Sequence, residues 1–525
     1  MINTENGDPA YASTLNNNLD FFTRITRNAS MTDIFNTYQK AWQEDPVTAL
    51  QILFHLRDAR QGKQEKRLSL IVLLCLKYTL SEADYLKILT IFIQYGYWKD
   101  ILNIVEIDLQ LNQNTSCVEV NLLKNQLVTD FQQLLNNENA SISLAGKWAP
   151  SEKSHYHQSY LKLRKAMGMN AKEYRQFISK LRQHLNVLEM FMATQQFDKI
   201  DFSHIPATAL KKMNKAFNRD ANADGVVSEN RKALKLSYQE FLTKLAKHET
   251  KVNVSGIQPH ELVNHYLIHQ NQYDVLVEQQ WQTMMNKIKT TGCFNKTTAV
   301  VDVSGSMEGQ PMQVAIALGI MVASCTSDCF KNQVITFHST PSWHHLSGST
   351  LQEHVQCLKN APWGQNTNLR LVFDLILNEA IRYQLKPNQM IETLFIFTDM
   401  QFDSAIAINI NSNTTTFTDA KTSFLKAGYQ LPKIIFWNLR TSDSKAFPVQ
   451  QNEENVALLS GFSCELLSCI LNNESFSPLS MLKHVLEPYP KLNEYKNVTL
   501  NSCLYQIDSI DEAMKKTAIK KCFKK

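Results

Sequence analysis

Between residues 17 and 290, apolar positions recur at the three- and four-residue spacing of a helix face; beyond 290 they gather into short uninterrupted runs. In the first region, helices are predicted at Thr32 to Gln43, from Pro46 through V-T-A-L-Q-I-L-F-H-L-R, and at 68–78, 81–95 and 118–135. A capping pattern before Thr32 and proline at a first helical position support them. Short turns join these helices, so an α helical-repeat region is expected, without a repeat period that can be named. Residues 256–290 add one or two helices. Residues 1–16, polar and rich in Asn, read as a flexible arm.

The later apolar runs are T-A-V-V (298–301), N-Q-V-I-T-F-H (332–338), I-E-T-L-F-I-F-T-D-M (391–400), K-I-I-F-W-N-L (433–439) and V-A-L-L-S-G-F-S (456–463). Helical patterns alternate with them, one apolar nearly all round after Pro311 and one amphipathic at R-L-V-F-D-L-I-L-N-E-A-I. Strands alternating with helices predict an α/β doubly wound, mostly parallel sheet. The expected domains are a 1–16 arm, a helical region over 17–290, an α/β domain over 291–490 and a basic tail over 491–525.

The chemistry sits where the first strand stops, at D-V-S-G-S. Asp302, Ser304 and Ser306 are spaced by two, so a tight loop can aim one carboxylate and two hydroxyls at a point above the strand's carboxyl end, where open α/β sheets bind ligands. Hard oxygen donors with one formal charge suit Mg²⁺ or Mn²⁺; a capped turn without metal is the plainer reading. The segment resembles the von Willebrand factor A domain, a Rossmann-like fold, and its metal-ion-dependent adhesion site. That resemblance implies Thr367, in W-G-Q-N-T-N-L, as a third hydroxyl ligand, and Asp399 at a later strand end. It implies hydroxyls on the metal, acids acting through water, and one position left for an acidic group of a partner.

An enzyme must be weighed too. A strand ending in Asp302, with Asp399 and Asp403 further on, also resembles haloacid-dehalogenase-type phosphohydrolases, whose second aspartate, two residues past the first, is the general acid. Ser304 holds that position here and cannot serve as an acid near neutral pH. No G-x-S-x-G, H-E-x-x-H or G-x-x-x-x-G-K motif occurs. A non-enzymatic protein is expected.

The net charge of +5 is mild for 525 residues, so a nucleic-acid reading needs local clustering. Residues 145–251 supply it, with twenty Lys or Arg against ten Asp or Glu, leaving the rest of the chain net negative. Lys147, Lys211, Lys212 and Lys215 belong to this stretch, and Trp148, Tyr156 and Tyr160 lie among them; solvated helix faces and core packing explain the same residues. Upstream, L-R-D-A-R-Q-G-K-Q-E-K-R places Arg57, Arg60 and Lys63 around Gly62, and Y-G-Y-W-K-D follows at 95–100. These two connections resemble the Ro-type (TROVE) ribonucleoprotein module, in which a ring of helical repeats binds RNA and precedes a von Willebrand A domain. Arg57 with Asp58 reads equally well as a buried ion pair, and Tyr97 and Trp98 as packing residues.

Domain order, A-G-K-W-A-P-S-E-K (145–153), P-K-I-I-F-W-N-L-R and L-L-S-G-F-S together resemble, over roughly 30–490, an uncharacterised family that pairs a TROVE-like helical region with a C-terminal A-type domain. Two decoys fall away. D-A-N-A-D-G-V-V-S-E-N-R (220–231) has Arg231 where a calcium loop needs Glu, and His260, His265 and His269, at helical spacing, read as solvated or helix-packing residues rather than metal ligands.

Ten scattered cysteines without paired C-x-x-C, and a polar first segment, predict an intracellular, most simply cytoplasmic, protein with no membrane span. The whole reads as a binding protein: a helical scaffold, with a candidate RNA surface at Arg57, Arg60, Lys63, Lys147, Lys211, Lys212 and Lys215, and a Mg²⁺-dependent site for a carboxylate-bearing partner. The alternatives are a metal-dependent protein-interaction scaffold without RNA and, more distantly, the phosphohydrolase.

Overall fold

β-branched and aromatic runs with no charge inside them form strands buried on both faces, and these build the sheet on which the later half of the chain is laid. The computed structural model describes residues 1–111, 118–221, 225–270, 272–337, 340–361, 367–403, 415–471, 476–500 and 510–513. The chain divides into two compact units. One comprises residues 1–55, 61–64 and 254–498; the other comprises 56–60, 65–253 and 499–525. This differs from the expected division at 290, because the helices Asn17–Arg24, Met31–Glu44, Pro259–Ile268 and Val275–Thr291 belong with the sheet.

In the first unit a two-stranded antiparallel ribbon pairs β1 (Ile2–Asn3) with β2 (Pro9–Ala10). The main sheet has β3 (Thr297–Val301), β4 (Gln333–Thr336), β5 (Ser342–His345), β6 (Thr393–Thr398), β7 (Lys433–Asn438) and β8 (Val456–Ser460), in the order β5-β4-β3-β6-β7-β8. All pairings are parallel except β4 with β5. The antiparallel edge strand β5 was not expected. Its S-W-H-H is half-buried and lacks the apolar run that marks the others.

Register alternates the two faces. Val300, Ile396, Phe436 and Leu458 lie side by side across β3, β6, β7 and β8 and pack with Val372, Phe373 and Ile376 of helix Leu369–Arg382 and Phe424 of helix Thr416–Lys426. Val301, Phe397, Trp437 and Leu459 share the opposite face. Helix Gln310–Cys325 covers β3 there, and Gly319 makes the approach possible: a Cβ at that position would overlap Val301 Cγ2. The helix is buried almost throughout from Val314 to Ala323, which explains its apolar residues on every side.

The expected loose arm is instead part of the fold. Thr4 and Asp8 are buried, and Tyr11 and Phe447 exchange backbone hydrogen bonds; beyond the arm, Thr26 and Thr441 bond through both hydroxyls and backbone. Asn438 at the end of β7 donates to the carbonyls of Thr23 and Arg24. Polarity here serves hydrogen bonds to other segments rather than solvation.

The second unit is helical: Lys66–Thr79, Glu82–Tyr95, Trp98–Gln110, Val118–Asn136, His157–Ala166, Ala171–His184, Ala207–Phe217 and Glu229–Ala246 are its longer elements. Charges are buried within it as a network. Lys77 pairs with Asp108 and Glu119, which also accept from Tyr78 and Tyr85 respectively. The 491–525 tail lies largely outside the described residues, as do Asn222 to Asp224 of the rejected calcium loop. No helix among the described residues is long and apolar enough to cross a membrane.

Replacing Gly319 with Ala forces the helix away from β3. We expect a loss of about 1–3 kcal/mol in stability, read as a lower midpoint in chemical denaturation with the far-ultraviolet spectrum of the folded state unchanged.

Candidate functional site

β3 and β6 are neighbours, and the chain leaves them in opposite directions along the sheet, β3 toward β4 and β6 toward β7. Their carboxyl ends thus mark the switch point where a crevice opens. Asp302 follows directly on Val301 and Asp399 on Thr398, so the register Val301 opposite Phe397 puts two carboxylates on adjacent strand ends, both nearly inaccessible.

Each oxygen of Asp302 is held. Ser304 N–H donates to Oδ1 at 2.9 Å and the Thr398 hydroxyl to Oδ2 at 2.7 Å. After Ser304 the chain makes a short 3-10 turn, Gly305–Met307, which brings the Ser306 hydroxyl within 3.1 Å of the Ser304 hydroxyl. Gly309, at φ +92°, then starts the buried helix. Thr367 sits just before Asn368, the N-cap of helix Leu369–Arg382. It is buried; its hydroxyl donates to Gln401 O at 2.8 Å, and its N–H donates to Asp403 Oδ2 at 2.6 Å. Asp403 thus braces the Thr367 backbone. Gln401 N–H in turn donates to Asp399 Oδ1 at 3.2 Å. These contacts form two sets, Asp302 with Ser304 and Ser306, and Asp399 with Gln401 and Thr367, and Arg440 reaches both, donating to Ser306 O and lying near Asp399 Oδ2.

Electrostatically the pair is under tension. Burial first, then the charge of Asp399, raises the Asp302 carboxyl above the ordinary carboxylate range, against the hydrogen bonds from Ser304 and Thr398. Burial raises Asp399 as well, opposed by Ser306, the Gln401 N–H and Arg440. Asp399 Oδ2 is buried without a hydrogen bond. An orphaned acceptor beside a second buried carboxylate and a pair of hydroxyls is a donor set that fits a hard divalent cation. Among the described residues no group of three His, Cys, Asp or Glu side chains could hold a metal, so any site here depends on hydroxyls.

Sequence reasoning missed three residues at this place. Asn6 Nδ2 donates to Gln401 O at 2.8 Å and reaches Thr367 Oγ1 at 3.5 Å. Glu5 N–H donates to Gln401 Oε1, while Glu5 Oε1 accepts from Asp443 N–H. Arg440, two residues after β7, donates to Ser306 O at 2.7 Å and lies 3.7 Å from Asp399 Oδ2. The only signal for Arg440 was its place after a buried strand in W-N-L-R.

The predicted RNA residues are dispersed. Arg57 is fully buried and pairs with Asp100, not Asp58, at 2.7 Å under the Tyr97 ring, so it cannot meet a phosphate as the chain stands. Lys63 is also buried; it donates to Phe22 O and to the Ser460 hydroxyl. Both cations proved to be interior braces, as periodicity alone could not reveal. Arg60 donates to Gln94 O. Lys147 Nζ stands 5.7 Å from the Trp148 ring centroid, Lys99 Nζ 5.6 Å from it, and Tyr97 packs against the same ring. Lys211, Lys212 and Lys215 are exposed on helix Ala207–Phe217. Of the three histidines, His260 is buried, and His265 lies 3.6 Å from Asp274, an acid the sequence reading had not placed there. Residues 404–414 of the Asn- and Thr-rich segment 404–418 lie outside the described residues.

These observations define a helical region joined to a C-terminal mixed sheet of mostly parallel strands with a carboxylate and hydroxyl cluster at its switch point. Residues 4–122 and 159–294 match the family model described as Domain of unknown function (DUF2828), and 296–500 match Domain of unknown function (DUF7788). The chain is 48% identical over 544 residues, covering 99% of it and 94% of the relative, to "Uncharacterized protein L728" of Acanthamoeba polyphaga mimivirus. It belongs to the family of that mimiviral protein. A solved chain titled "Crystal structure of Deinococcus radiodurans RO (RSR) protein" overlaps 86% of this chain and 93% of its own at a TM-score of 0.42 and 14% identity, a likeness too slight to bear on function.

Asp8 gives a test of how the N-terminal ribbon is seated. Its carboxyl accepts from the Thr416 hydroxyl at 2.6 Å, and burial lifts it from 3.8 to about 6. A raised acid favours the folded state when protonated, so its contribution is full below pH 3.8 and lost as pH rises through 6. Asp8→Asn should therefore be more stable than the parent at pH 7.5, by on the order of 2 kcal/mol, with the difference vanishing near pH 3.5 in paired thermal melts.

Proposed function

We propose that the chain is a non-enzymatic binding protein whose sheet unit takes a divalent cation, Mg²⁺ or Mn²⁺, and through it an acidic partner. The observation that carries this reading is the orphaned, buried Oδ2 of Asp399 beside Asp302 and the Ser304–Ser306 hydroxyl pair. Ser304, Ser306 and Thr367 would hold the ion directly, with Asp302 and Asp399 behind them, as the resemblance to the metal-ion-dependent adhesion site implies. A bound cation there would offer an open position to a carboxylate oxygen. The chain's own contribution is to fix the donors: Thr398 and the Ser304 N–H orient Asp302, Gln401 orients Asp399, and Asp403 holds the Thr367 backbone. The hydrogen bonds on both Asp302 oxygens favour a positioning role over attack on phosphorus, which supports binding over phosphohydrolysis.

Asp302→Ala combined with Ser304→Ala should abolish Mn²⁺ binding in calorimetry and remove any upward shift of the melting temperature by Mg²⁺. Tight Mn²⁺ binding by the folded double variant would end this reading.

A second reading is supported in the helical unit, where exposed Lys211, Lys212 and Lys215 lie in the basic stretch and two ammonium groups flank the half-buried Trp148, whose Nε1 is buried without an acceptor. Such a mixture of cations and aromatic rings suits RNA. Changing the three lysines to Ala should weaken binding to a mixed RNA pool and flatten the slope of log affinity against log salt by up to about 2, without altering Mn²⁺ binding. An unchanged slope in a filter-binding salt series would exclude this face.

A further inference from the structure

The Arg440 side chain lies at the edge of the carboxylate pair. Among the described residues its guanidinium meets two oxygens: Ser306 O, to which Nη1 donates at 2.7 Å, and Asp399 Oδ2, 3.7 Å away without a hydrogen bond. Its side chain is 40% exposed, whereas that of Asp399 is 1% exposed. The backbone on which it stands is fixed, since Arg440 N–H donates to Asn438 Oδ1 and Asn438 is anchored to Thr23 and Arg24. The arginine is thus rigid at its root and free to turn at its tip.

Two buried carboxylates with one cation nearby leave the cluster one positive charge short, and a monovalent group at 3.7 Å is the nearest compensation the described residues provide. We infer that Arg440 is an exchangeable counter-ion: its guanidinium holds Asp399 when no divalent cation is bound, and it must swing outward, releasing Ser306 O, for one to enter. This rests on the reading of the site as a divalent-cation site. The contact with Asp399 is through space only, so turning the side chain breaks one hydrogen bond, that to Ser306. Repulsion between a guanidinium and an arriving dication at this range is substantial where both are partly desolvated. Arg440 therefore sets how tightly the site takes its ion, while the oxygens set which ion it takes.

The consequence is a pair of opposite effects in one variant. Full-length Arg440→Gln should bind Mn²⁺ about tenfold more tightly than the parent, measured by calorimetry and by the loss of the free Mn²⁺ paramagnetic resonance signal. In EDTA the same variant should melt at a lower temperature than the parent, because Asp399 has lost its counter-ion, and Mn²⁺ should close or reverse that gap. Arg440→Lys keeps the charge and is expected to stay within about threefold of the parent in Mn²⁺ affinity; a tenfold change in that variant would overturn the exchange. Parent protein that binds Mn²⁺ through Asp302, with Arg440→Gln binding no more tightly, overturns the role of Arg440 and leaves the cation site standing. Absence of Mn²⁺ binding by both parent and Arg440→Gln overturns the two together.

Discussion

Two aspartates at the ends of adjacent parallel strands are the constraint around which the sheet unit is arranged. Parallel register fixes their stagger: once Val301 lies beside Phe397, Asp302 is level with Thr398, whose hydroxyl it accepts, and Asp399 follows one residue beyond at the same end of the sheet. Two like charges there would drive the strand ends apart unless every neighbouring group offers a proton donor or a positive charge. Thr398, Ser304, Ser306, the Gln401 N–H and Arg440 all do so. The polar loops above the sheet follow from that need more than from any demand of the sheet itself.

A second dependence runs from the site back into the N-terminal segment. Gln401 bonds to Asp399 and Thr367 with its backbone, and to Glu5 and Ser444 with its side-chain oxygen. The turn around Asn6 and the loop after β7 therefore share one glutamine, which couples three chain segments far apart in sequence. Helix Asn17–Arg24 completes the arrangement by giving its last carbonyls to Asn438 and Thr441. The groups at the site are accordingly fixed by segments from the whole length of the sheet unit.

Much of this was legible from residues alone, for identifiable reasons. Five of the six main-sheet strands carry continuous apolar runs because they are buried on both faces, and such runs end where polar chemistry begins, so Asp302 and Asp399 stood out. Of the helices from Met31 to Asn136, all but Trp98–Gln110 followed from their spacing and caps, with Ser30 and Ser81 each accepting at their N-termini. β5 escaped notice because an edge strand needs only one partner and little burial. Residues 1–16 were misjudged because a polar segment that hydrogen-bonds to distant loops has the same composition as one that is solvated. Arg57 and Lys63 were misjudged for the complementary reason. A buried cation is betrayed only by its partner, and Asp100 and Ser460 lie 43 and 397 positions away. Arg440 closes the segment P-K-I-I-F-W-N-L-R, but its role is visible only beside Asp399.

The discontinuity of the sheet unit has a consequence for biosynthesis. Residues 31–44 leave the ribosome with Ile34, Phe35, Tyr38 and Trp42 along one side of a helix, and in the finished protein the indole of Trp42 donates to the carbonyl of Val498. More than four hundred residues must be translated before that acceptor exists, which at roughly 5–20 residues per second takes on the order of half a minute to a minute and a half. Residues 65–253 of the helical unit are translated long before then. Within the first fifty residues Phe21 can already pack on Tyr38, whereas the face of Trp42 that meets Tyr495 stays open until the end of the chain is made. The Trp42 side of the sheet unit is therefore the last part of it that can close.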